Sequence, residues 1–170
     1  MTIKDTLLTQ FDTELVFTRR TLERVPMDRA AWKPHAKSMT LGWLATFMAL
    51  AWSWGNLMIE RREFAPKPGD TKPELPKTTA DLLALFDRMT SAFRASLAAT
   101  DDDALQETWT LTMQDKAAVT QPRWLMLQNF LFNHMVHHRG QLTVYLRLND
   151  IAVPAIYNDS ADEKGGMFME

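Results

Sequence analysis

From Asn133 to Asp150 the chain reads NHMVHHRGQLTVYLRLND, and three of its four histidines fall within five of those residues. On a helix that turns about 100° per residue, His134 and His138 project within about 40° of each other, one turn apart. Gln141 and Tyr145 continue the same stripe, so a polar strip runs along a helix that is otherwise very apolar. His137 lies on the other side of His134, toward solvent or a partner. A His-x-x-x-His pair on a helix has the spacing of a metal site. Catalytic zinc sites generally take three protein ligands, however, so on spacing alone packed, hydrogen-bonded histidines are the better reading.

Working outward, Pro122 suits the first position of this helix, which is predicted over Pro122 to Asn149. Upstream, Leu7, Phe11, Leu15, Thr18, Leu22 and Val25 recur at steps of three and four, predicting a first helix closed by Pro26. Ser38 or Thr40 caps a second, through LGWLATFMALAWSWGNLMIERR to about Phe64, whose aromatics on several faces predict burial. Thr78 or Thr79 caps a third, with Leu82, Phe86, Met89, Phe93 and Leu97 as its inner stripe. Between them Ala65 to Lys77 carries four prolines and a glycine, a crossover loop that no helix traverses. Weak alternation from Thr108 to Met113 suggests a short extended excursion. Ser160 to Glu163 has a capping-box pattern, predicting one short terminal helix. The expected class is all-α, a four-helix bundle with one long crossover loop, as a single domain over residues 1–170.

Composition bounds the function. Hydrophobic residues at 46% and charged residues at 24% match a soluble globular chain, and the net charge of −2 offers no electrostatic footprint for nucleic acid. There is no cysteine, which excludes disulfides, thiolate metal sites and a cysteine nucleophile. The amphipathic start has no signal-peptide core, and no apolar run reaches membrane-spanning length, so the expected location is the cytoplasm. No glycine-rich phosphate loop or Ser/His/Asp signature is present. Asp101 to Asp103 reads as solvated surface. Arg139 is suited to hold a carboxylate bidentately, or to pair with the tail acids Asp159, Asp162 and Glu163. Trp43, Trp52 and Trp54 read as packing, with room for one of them to line a pocket.

The stretch FNHMVHHRGQLTVYLRLNDIAVPAIYNDSADE, with WKPHAKSMTLGWLA and the PRW at Pro122 to Trp124, resembles the DinB/YfiT-like superfamily over most of the chain. That resemblance implies a four-helix bundle, a frequent homodimer, and a nickel or zinc ion held by three histidines. Two of the three match His134 and His138. The third is implied in the second helix after a Leu-x-x spacing, but Leu44-Ala45-Thr46 is followed here by Phe47. Phenylalanine has no lone pair to offer. His35 is twelve residues earlier, and the second helix has no acid between Thr40 and Leu57 to replace the missing ligand. Metal is thus expected to bind weakly or not at all.

Two functions follow. One is a metal-dependent transferase or hydrolase of this type, the ion activating a thiol or water while Gln141 or Tyr145 orients the substrate. The other is a non-catalytic bundle that binds a small apolar ligand, or acts as a dimeric interaction module, with Phe47, Gln141 and Tyr145 lining the pocket. The missing ligand favours the second.

Overall fold

The computed structural model describes residues 1–65, 74–114 and 116–165. Helix α1 (Ile3–Leu22) starts in a capping box: the Thr2 hydroxyl accepts from Asp5 N–H, and the Asp5 carboxylate accepts from Thr2 N–H. The next two free amides, of Ile3 and Lys4, donate to the Asp102 carboxylate at 2.8 and 3.0 Å. Asp101 caps the short α5 (Asp102–Gln106) through Ala104 N–H. The acidic run expected as solvated surface therefore fastens two helix ends, because carboxylates are favoured where unpaired amides cluster.

The second rod is α2 (Leu41–Leu50) followed by α3 (Trp52–Glu60). Thr40 is its cap, accepting from Trp43 N–H. At Ala51 the ladder tightens: Trp54 N–H reaches back only to the Ala51 carbonyl, and the Ser53 hydroxyl takes that of Leu50. The single helix expected to reach Phe64 is thus two helices and ends at Glu60. Arg61 turns extended, the Arg62 carbonyl accepts from Thr110 N–H, and Glu63–Phe64 become strand β1. Of the expected crossover loop, residues 66–73 lie outside the described residues, and the described remainder is neither helix nor strand. Thr78 then caps α4 (Thr79–Ala99) in a second capping box.

Strands β2 (Thr108–Met113) and β3 (Lys116–Pro122) form an antiparallel pair, with β1 parallel on the far side of β2. This three-stranded mixed sheet overturns the all-α class. The extended excursion expected at Thr108 to Met113 is β2, where Trp109 and Leu111 point inward and are buried. Its partner β3 lacks alternation because most of it is exposed on both sides, so its sequence carries no inward stripe.

The fourth rod runs through α6 (Arg123–Met126), a π-turn (Leu127–Phe132) and α7 (Asn133–Leu148). Pro122 ends β3 and stands at the N-cap position of α6, without a capping bond, instead of being the first helical residue. Among the described residues no helix follows Ser160, where a terminal one was expected. The Ser160 hydroxyl does accept from Asp162 and Glu163 N–H, but the Glu163 carboxylate turns to Arg20, Arg24 and Ala155 N–H, leaving the box open.

The rods meet at four aromatic rings, one from each. Phe11 of α1 lies 5.0 Å from Trp52 of α3 and 5.2 Å from Phe93 of α4, while Phe132 of the π-turn lies 5.9 Å from Trp52. The edge-on contacts of Phe11 with Trp52 and Phe93 add to the hydrophobic gain from burial. Gly55 makes the approach possible: a Cβ there would sit 2.4 Å from the Phe93 ring. Among the described residues no helix is long and apolar enough to cross a membrane.

Candidate functional site

α7 packs against α2, and at that contact the histidine pair meets Phe47. His138 is buried and His134 half-buried, while His137 is turned outward and exposed. The Phe47 ring stands edge-on to both members of the pair, 5.5 Å from His134 and 5.0 Å from His138. Trp43 and Trp54 flank Phe47 at 5.7 and 5.4 Å, and Phe130 lies 6.2 Å from Trp54 and 6.0 Å from His134. The result is a strip of half-buried aromatic rings beside the imidazoles.

The pair is held by hydrogen bonds. His138 Nδ1 lies 2.7 Å from Gln141 Oε1, and His138 Nε2 lies 2.8 Å from His134 Nε2. With the Gln141 oxygen accepting, His138 carries its proton on Nδ1 and its Nε2 is an acceptor. His134 then donates from Nε2. Each neutral ring thus has one proton, in a relay running from His134 through His138 to Gln141.

Burial, the largest influence, pushes both imidazoles below the usual histidine value of 6.5. For His134, charge on His138 and His137 adds to this, and the Phe130 carbonyl opposes it. For His138, the Gln141 contact opposes burial and His137 adds to it. The folded state therefore binds fewer protons than the unfolded chain near and below pH 6.5. Stability is complete above the ordinary histidine range and falls as pH drops through it, until the folded imidazoles also protonate. Thermal melts from about pH 7.5 to about pH 5 should show that fall, and a His134→Gln/His138→Gln protein should lose much of it. Equal acid sensitivity in both would place the effect elsewhere.

The other expected site residues are dispersed. The Tyr145 hydroxyl donates to the Met39 carbonyl at 3.3 Å and its ring meets Trp32, so it serves the loop before α2. His35 is exposed, and its Nδ1 accepts from Lys37 N–H. Arg139 is buried with Glu14 of α1, not with the tail acids. Asp162 goes to Arg147, Glu163 to Arg20 and Arg24, and Asp159 to Lys164. Phe130 was not legible as a neighbour of the pair, because the π-turn that carries it has no sequence signature here.

A divalent metal fits these residues poorly. Ligands 2.0–2.1 Å from a tetrahedral zinc stand about 3.3 Å apart, wider than the 2.8 Å of the imidazole pair, which is a hydrogen-bond length. Both Nε2 atoms are engaged with each other, and the side facing α2 is the hydrocarbon edge of Phe47. Among the described residues no group of three His, Cys, Asp or Glu converges in a way that could hold an ion.

Compared with known proteins, the chain matches the DinB family over residues 1–165. No curated protein matches it. Among solved structures it is similar to a DinB-like protein from Bacillus cereus, with 22% identity, coverage of 90% of this chain and 97% of that one, and a TM-score of 0.70. It is also similar to a DinB-like protein from Bacillus subtilis, with 22% identity, coverage of 91% and 99%, and a TM-score of 0.69. At that identity the likeness is one of fold.

Proposed function

The chain belongs to the DinB family, and we propose that it is a non-catalytic member, without a resident metal, that binds a small apolar ligand at the aromatic strip beside the histidine pair. The observation that carries this reading is the 2.8 Å bond between His134 Nε2 and His138 Nε2 beneath Phe47. It occupies the two nitrogens a metal would need, and an apolar ring stands where a third donor is required. The half-buried rings of Trp43, Phe47, Trp54 and Phe130 offer a small ligand apolar contact. The outer imidazole, His134, offers it one polar partner, the common composition of small-molecule sites.

Elemental analysis tests the first half. Protein purified from cells grown with added zinc and nickel is expected to carry far less than one equivalent of either. Phenol tests the second, its ring suited to the strip and its hydroxyl to an imidazole. It should move the ring resonances of His134 and quench tryptophan emission saturably. A tightly held equivalent of metal would overturn the metal-free reading, and unmoved signals with phenol would overturn the ligand reading.

A further inference from the structure

Beyond α7 the described chain has neither helix nor strand, and Asp150, at φ 58°, turns it off the helix. The segment folds on itself through its own acids. Asp162 accepts from Val153 N–H at 2.8 Å, Glu163 accepts from Ala155 N–H at 3.0 Å, and the Ser160 hydroxyl donates to the Val153 carbonyl at 2.7 Å. The same two carboxylates clip it to the bundle. Arg147 of α7 holds Asp162, and Arg20 and Arg24 of α1 hold Glu163. A further tie is the Tyr157 hydroxyl, between Glu14 and Arg139. Its apolar anchors are Pro154 and Ala155, buried, Ile151 and Val153, half-buried, and the Tyr157 ring, which stands edge-on to Phe17 at 5.4 Å.

We propose that the segment from Asp150 to Lys164 is a releasable strap, an acidic peptide seated in cis on an arginine groove between α1 and α7, and that the vacated groove accepts an acidic peptide from a partner. Charge complementarity selects that occupant. Three guanidiniums take adjacent carboxylates, the planar pairing for which arginine is suited. Release is within reach because these pairs are partly exposed, and exposed pairs are individually weak and screened by salt.

Hydrogen exchange on the full chain tests the strap. The Val153 and Ala155 amides are expected to exchange at least about tenfold faster than those in the middle of α4, and to quicken with added salt while α4 does not. Exchange of Val153 and Ala155 only together with α4 would make the segment an integral part of the core and overturn the proposal. For the groove, the probe is a labelled peptide AIYNDSADEK, the chain's own residues 155–164. It should bind an Asp162→Asn/Glu163→Gln protein with salt-sensitive affinity and bind the parent at least about tenfold more weakly, since the parent's strap occupies the seat. No binding to the variant overturns the groove. So does equal binding by a peptide with both acids amidated, or tighter binding by single-stranded nucleic acid.

Discussion

Phe47→His is expected to convert a chain that holds zinc or nickel weakly or not at all into one that binds either ion well enough to raise its melting temperature. The new imidazole would project from α2 at the place where the Phe47 ring now meets both histidines. It would add a donor from the facing helix, so that His134, His138 and residue 47 enclose an ion from two sides, with water free to complete a tetrahedron. Binding would open the 2.8 Å contact and shift the His134 proton from Nε2 to Nδ1, a change of tautomer that releases none. On acidification the ion must displace protons from the imidazoles, so binding should weaken. Without metal the variant is expected to lose about 1–3 kcal/mol, because a shorter polar ring replaces an apolar one packed among Trp43, Trp54 and the two imidazoles. With metal at about a hundred times its dissociation constant, the native state should recover about 2.7 kcal/mol. The measurement is a thermal melt of both proteins, stripped with chelator, with and without excess zinc. A parent protein that gains as much as the variant would show that two imidazoles suffice or that another group completes the shell.

The fold and the site were legible to different depths, for physical reasons that can be named. Helices α1 and α4 stood out because each carries an apolar stripe at helical spacing. The break at Ala51 was hidden because LATFMALAWSWG is apolar on every side, so no stripe marks a change of direction. The sheet was half visible. Strand β2 alternates because only one of its faces is buried, whereas β3 is mostly exposed and β1 has two residues, too few for a pattern. At the site, the shared face of His134, His138 and Gln141 follows from helix geometry. Tyr145 has nearly the same phase but lies beyond the reach of α2's middle, and its hydroxyl goes to Met39. The partner of Arg139 stayed open, between an unspecified carboxylate and the tail acids, because spacing cannot rank one distant acid above another. Glu14 of α1 is brought to it only by the packing of the rods.

That buried pair gives the second large effect. Arg139 is 2% exposed and its Nη2 lies 2.6 Å from the Glu14 carboxylate. The guanidinium also donates to the Glu14 carbonyl, to the Thr18 hydroxyl and to Tyr157, and stacks between the rings of Phe17 and Tyr157. With so many of its donors engaged, truncation strands other groups as well. Arg139→Ala removes the cation and its packing, and leaves Glu14 largely buried with the Tyr157 hydroxyl as its remaining charge-stabilising contact. Breaking a buried pair from one side typically costs about 3–5 kcal/mol, since the surviving charge keeps its desolvation penalty without its attraction. The denaturant midpoint should fall accordingly, with little change in slope if unfolding remains two-state. Arg139→Met with Glu14→Leu is the informative control. It fills similar volume and strands no charge, so it should recover most of what the single change loses. If the double variant is instead as unstable as Arg139→Ala, the loss lies in the donors to Thr18 and Tyr157 and in the aromatic stacking, not in the stranded carboxylate.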